Sequence, residues 1–91
     1  MKTMSVLPKL AEELYASVSE RIDEPLRTQL HESLECGEEG VAVLFTLQWA
    51  IETHTSIDEH YWLELNDYFA TGTTELSQSI RERIEKVAHA A

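Results

Sequence analysis

The stretch Gly40-Val41-Ala42-Val43-Leu44-Phe45-Thr46-Leu47-Gln48-Trp49-Ala50-Ile51 decides between a helical and a stranded chain. Its apolar residues fill nearly every position, a pattern shared by buried strands and buried helices that periodicity alone does not separate. Length favours a helix, and no hairpin signal lies nearby. The expectation is a helix over about residues 38–53 with apolar side chains around almost its whole circumference. A helix with so little polar surface belongs at the centre, with the others around it.

Working outward, Leu7, Leu10, Leu14, Val18 and Ile22 recur at three- and four-residue steps. They mark one stripe of a first helix, capped by Ser5, running to about Ile22, with Pro8 tolerated in its first turn. Asp23 then caps a second helix, with Glu24 and Pro25 in its first turn and Leu26, Leu30 and Leu34 as its buried edge. Gly37 ends it by taking a left-handed conformation. Downstream, Ser56-Ile57-Asp58-Glu59 reads as a Ser-x-x-Glu capping box opening a fourth helix. Ile57, Tyr61, Trp62, Leu65, Tyr68 and Phe69 are expected on one broad face of it. Gly72 interrupts the chain, and Thr73 or Thr74 caps a fifth helix whose stripe is Leu76, Ile80, Ile84 and Val87. With only 3 Gly and 2 Pro there are few breaks to place. The predicted fold is all-α: one helical domain over residues 1–91, a compact bundle of about five short helices around a central apolar helix.

The chain carries 17 acidic residues against 7 Lys plus Arg, a net charge of -10. Lys2, Lys9, Arg21 and Arg27 come before residue 28, and Arg81, Arg83 and Lys86 after residue 80. The acids outside that window balance them: Glu12, Glu13, Glu20, Asp23, Glu24, Glu82 and Glu85. The whole net charge therefore falls on residues 28–80. Direct nucleic-acid binding is disfavoured, because it depends on Lys and Arg neutralising phosphates. An anionic membrane surface is disfavoured by the same sign argument. At 43% apolar and 26% charged, the composition is that of a globule rather than a disordered acidic tail. No apolar run reaches the roughly 20 residues of a membrane-spanning helix, and no secretory signal opens the chain. A cytoplasmic protein is expected. The single Cys36 cannot form an internal disulfide, which agrees with a reducing compartment; a buried or half-buried helix-end thiol is expected there.

Catalytic constellations are sparse. His31 and Glu35 are one turn apart, with His54 and His60 further on, but a helical metal site needs several ligands converging on one point. Glu12/Glu13, Glu38/Glu39 and Asp58/Glu59 are adjacent in sequence and so diverge on a helix. No Ser-His-Asp or Cys-His arrangement and no glycine-rich phosphate loop is present. The reading is a non-enzyme needing no metal and no cofactor. Most of the cluster Trp49, Tyr61, Trp62, Tyr68 and Phe69 belongs to the core. Trp62 and Phe69 lie toward the edge of their stripe, and an exposed Trp62 is a candidate binding anchor.

Acids without a single base over so long a stretch repel one another, which mixed-sign surfaces avoid. A cationic protein partner relieves that repulsion and is steered in by the field. The candidate partner-binding residues are Glu32, Glu35, Glu38, Glu39, Glu52, Asp58, Glu59, Glu64 and Asp67, with Trp62 as the anchor; Glu75 completes the acidic set.

The segment from Leu34 to Leu65 holds Gly37-Glu38-Glu39-Gly40-Val41-Ala42, the apolar helix, Glu52, a polar turn, and then Ile57, Tyr61 and Leu65. This resembles the small acidic immunity proteins of bacterial contact-dependent and polymorphic toxin systems, including the MafI-type family. There a Gly-Glu-x-Gly-x-Ala motif opens a helix and an Ile-x-x-x-Tyr-x-x-Leu segment follows. The resemblance covers about a third of the chain and implies inhibition of a cognate toxin, often a nuclease acting on RNA, without catalysis. It carries over Glu38 and, loosely, Glu52; the other acids come from charge placement. Gly40 and Ala42 also read as small residues that let the central helix approach a neighbour. The expected partner is a toxin domain with a basic surface. Two other readings stand beside it: a helical adaptor or self-assembling module using apolar faces, and a phage-type acidic inhibitor that mimics nucleic acid.

Overall fold

The computed structural model describes the backbone of residues 3–90 and the side chains of residues 6–89. Five α-helices follow in order: α1 (Thr3–Val18), α2 (Glu24–Glu35), α3 (Glu39–Thr53), α4 (Glu59–Phe69) and α5 (Glu75–Ala90). No strand occurs among the described residues, so the run from Val41 to Ile51 resolves as a helix. α3 packs against α5, α1 and α2, and α4 lies against α5 and α1. Ala42, Val43, Thr46, Leu47 and Ala50 are buried on α3, and its remaining apolar residues are half-buried except Phe45, which is exposed. Thr46 sits in this core because its hydroxyl donates to the Ala42 carbonyl at 2.7 Å, which removes the cost of burying it unpaired.

The stripe Leu10, Leu14, Val18 and Ile22 is buried, but the helix that carries it starts and stops elsewhere than predicted. Ser5 lies inside α1 rather than at its cap. Pro8 therefore withholds an N–H from the Met4 carbonyl, near the helix end where one lost bond matters least. α1 stops at Val18, and a 3-10 turn, Ser19–Arg21, delivers Ile22 in extended conformation to the core. Asp23 takes the cap position of α2 but its side chain makes no cap bond. Gly37 does adopt the left-handed conformation, at φ 79°. The Glu38 N–H then reaches the Ser33 carbonyl at 2.8 Å, and the Gly37 N–H reaches that of Leu34 at 3.2 Å. This is the double bond pattern of a Schellman end. Cys36 is exposed, contrary to expectation. It is two residues past Leu34, about 200° around the helix from the buried edge.

The same Schellman pattern closes α3 without a glycine. His54 takes φ 56°, its N–H reaching Ile51 at 3.3 Å, while the Thr55 N–H reaches Ala50 at 2.9 Å. The predicted capping box does not form. The cap position of α4 is Asp58, without a side-chain cap bond, and Glu59 is already the first helical residue. Ile57, buried in the irregular segment before it, accounts for the shift. Burying an isoleucine contributes about 1.5–3 kcal/mol, more than the roughly 1 kcal/mol of one cap. At α5 the cap is Thr74, whose hydroxyl accepts the Ser77 N–H at 3.0 Å. Ile80, Ile84 and Val87 are buried as predicted and Leu76 is half-buried.

Candidate functional site

Nearly all the candidate acids reach solvent. Glu32 and Glu35 are exposed on α2, Glu38 at the cap of α3, Glu52 in its last turn, Asp58 at the cap of α4, and Glu59, Glu64 and Asp67 along α4; Glu39 is half-buried. Among the described residues none of these, nor Glu75, pairs with a Lys or Arg. Glu35 meets only His31, at 3.0 Å, and Glu52 accepts from Gln48 at 2.9 Å.

Three of the four arginines are engaged elsewhere. Arg27 pairs with Glu24, and the guanidinium's hydrogen bond, then its charge, hold that carboxyl below the usual carboxylate range. Arg81 donates to the carbonyls of Phe69 at 2.6 Å and Gly72 at 2.7 Å, closing the end of α4. Arg83 joins α5 to α3 through Gln48 at 2.8 Å. These three side chains have partners other than the central acids and leave them uncompensated.

The acids do not converge on one spot. Glu35 shares a groove with Glu12, Tyr15, His31 and Leu34 between α1 and α2. Glu52 borders a groove of about 240 Å³ with Leu26, Gln29, Phe45, Gln48 and Trp49, between α2 and α3. Glu64 and Asp67 are brought together on a third groove, of about 620 Å³, with Val6, Tyr68, Phe69 and Gly72. Trp62 is on yet another side of α4, half-buried and facing Asn66, Arg81 and Ile84. Phe69, predicted near an edge, is buried, whereas Tyr68, predicted for the broad buried face, is 41% exposed. The exposed aromatics are Phe45 and Tyr68 rather than Trp62.

Two features of α4 escaped the sequence reading. Leu63 is 48% exposed, between Glu59 and Asp67 at four-residue steps, so the three form one ridge on the outer surface. Glu64 and Tyr68, also four apart, form the ridge beside it. Leu63 was detectable, being 200° from the buried Leu65 and so an apolar residue on a polar face. Val6 was not, because its place beside α4 depends on how α1 packs.

Gly40 faces α5, where an added Cβ would stand 2.8 Å from the Leu76 side chain, and Ala42 is buried. The small residues thus serve close approach of α3 to its neighbours. Among the described residues no three His, Cys, Asp or Glu side chains gather as a metal cluster, and no helix is long and apolar enough to cross a membrane.

No family model matches the chain, and neither a curated protein nor a solved structure does.

Proposed function

We propose that this chain is a non-catalytic binding protein that neutralises a cognate toxin, a nuclease by preference, by covering its basic surface with exposed carboxylates. The observation that carries the reading is the set of ten acids between residues 28 and 80 that no Lys or Arg neutralises among the described residues. Uncompensated charge repels itself in the free protein and gains on meeting a cationic partner, in rate as well as in affinity. The resemblance of the Leu34 to Leu65 segment to MafI-type immunity proteins points the same way, with Glu38 and, loosely, Glu52 as the acids it carries over. On this reading the protein works in the bacterial cytoplasm.

The test begins with the reading frame beside this one. A large secreted protein with a variable C-terminal domain is expected there, and co-expression of this chain should restore growth to cells making that domain. Glu38→Lys with Glu39→Lys should weaken the complex at least tenfold with the helical fold retained, and wild-type affinity should fall with salt. Full protection by the double variant would remove these two acids from the site, and no complex with the neighbouring domain would overturn the function.

A helical adaptor is a second reading, favoured by exposed Phe45 in its groove with Leu26 and Trp49. Its affinity would be indifferent to salt, the opposite of the first.

A further inference from the structure

We infer that the outer face of α4, with the groove it shares with Val6 of α1, is a docking surface for a basic amphipathic helix of a partner protein. The inference rests on the binding reading above and narrows it to one face and one kind of partner segment. Two exposed apolar side chains border the groove, Val6 at 38% and Tyr68 at 41% exposure, and Leu63, 48% exposed, lies outside it, about 140° around α4 from Tyr68. Around α4, Asp67 and Glu64 lie between Leu63 and Tyr68, and Glu59 is one turn before Leu63, all exposed. None of the three acids has an ion-pair partner among the described residues. Of the residues lining the groove, none is Lys or Arg. Arg81 donates to the Gly72 and Phe69 carbonyls and is held there.

Such a face complements a helix that presents one or two apolar side chains flanked by Lys or Arg at three- and four-residue steps, the helix-in-groove mode of recognition. Val6 and Tyr68 supply the desolvated contact, where binding energy concentrates, Leu63 extends it at the outer edge, and the carboxylates between them set charge and orientation. The two grooves bordered by the candidate acids Glu52 and Glu35 fit this partner less well. The groove of Phe45 and Trp49 has the single acid Glu52, already bonded to Gln48. The groove of Glu12 and Glu35 has its apolar residues, Tyr15 and Leu34, half-buried.

The experiment is a titration of the isotope-labelled full chain with a synthetic amphipathic Leu/Lys helix, followed by amide chemical shifts, with a Leu/Glu helix as control. Shifts should centre on Val6 and on residues from Leu63 to Gly72, and the Leu/Glu helix should produce none. Leu63→Ser with Tyr68→Ser should weaken Leu/Lys binding about tenfold with the helical circular dichroism retained; Tyr68 is partly buried and packs edge-on against Phe69, so a lower melting temperature is expected as well. Shifts centred on Phe45 or on Glu12 and Glu35, or binding untouched by the double variant, would overturn the docking face. So would a concentration-dependent dimer that occludes it. The titration and the growth assay fail separately. Shifts on α4 without protection would leave the face and remove the toxin, and protection with shifts elsewhere would do the reverse.

Discussion

Two residues in left-handed conformation, Gly37 and His54, end α2 and α3 with the same pair of backbone bonds. The chemistry of the two positions is opposite. Glycine has no Cβ and accepts this conformation freely, whereas an L side chain pays about 1–2 kcal/mol for its Cβ against the carbonyl. Part of that is recovered because histidine restricts the unfolded chain more than glycine does. His54→Gly is therefore expected to stabilise the protein by about 0.5–1 kcal/mol, read as a shift in urea midpoint at constant slope. Gly37→Ala should destabilise by about 1 kcal/mol, and strain alone is responsible, since nothing lies within 4 Å of the added Cβ. Destabilisation by both substitutions would mean that His54 is held in place by more than the left-handed conformation it shares with Gly37. The pair also shows what a sequence discloses about a helix end. Gly37 announces its end by residue type, but His54 does not. Its turn is imposed by the chain having to leave α3 and bring Ile57 into the core.

At the scale of elements, α3 was legible because its apolar residues exceed what any single face holds, so burial on several sides was the only outcome. The stripes of α1 and α5 were legible for the usual reason of three- and four-residue spacing. The start of α4 was not, because the Ser56 to Glu59 motif competes with burial of Ile57 and a local motif cannot register a tertiary gain. Nor was the candidate site: charge placement identified which segment is acidic, but the grouping of Glu64, Asp67, Tyr68 and Val6 exists only once α1 and α4 are packed. The end of α4 illustrates a dependence on another element. Its last carbonyl, that of Phe69, accepts from Arg81 of α5, which also donates to the Gly72 carbonyl in the turn beyond. Hydrogen bonds to a charged group are worth about 1.5–3 kcal/mol each when net effects are counted, less where solvent competes. Arg81→Met should cost about 2 kcal/mol in global stability and lower amide-exchange protection selectively in the last turn of α4. A loss of protection spread evenly over all five helices would mean that Arg81 stabilises the molecule as a whole and not this helix end.

Across the whole molecule, the net charge of -10 is confined to a body of 33 × 30 × 22 Å. At ~0.1 M ionic strength the Debye length is about 10 Å, so acids on opposite sides are screened from one another and those on the same helix are not. Lowering the salt lengthens that range to about 30 Å at ~0.01 M, the full width of the protein, and every central carboxylate then feels the rest. Self-repulsion of this kind opposes the compact state more than the expanded one. Salt should therefore stabilise this fold, with most of the gain complete by ~0.2 M and a melting temperature higher by about 4–8 °C for each 1 kcal/mol relieved. A variant with Glu59→Gln, Glu64→Gln and Asp67→Asn should begin with a higher melting temperature at low salt and gain less as salt is added. A basic partner acts on the same repulsion as the salt does, but on one face only. For that reason the protein's stability in low salt should rise on binding the Leu/Lys helix by more than it does in high salt. If salt lowers the melting temperature, the acids are compensated within the chain, and the surface has no unmet charge for a cationic partner to satisfy.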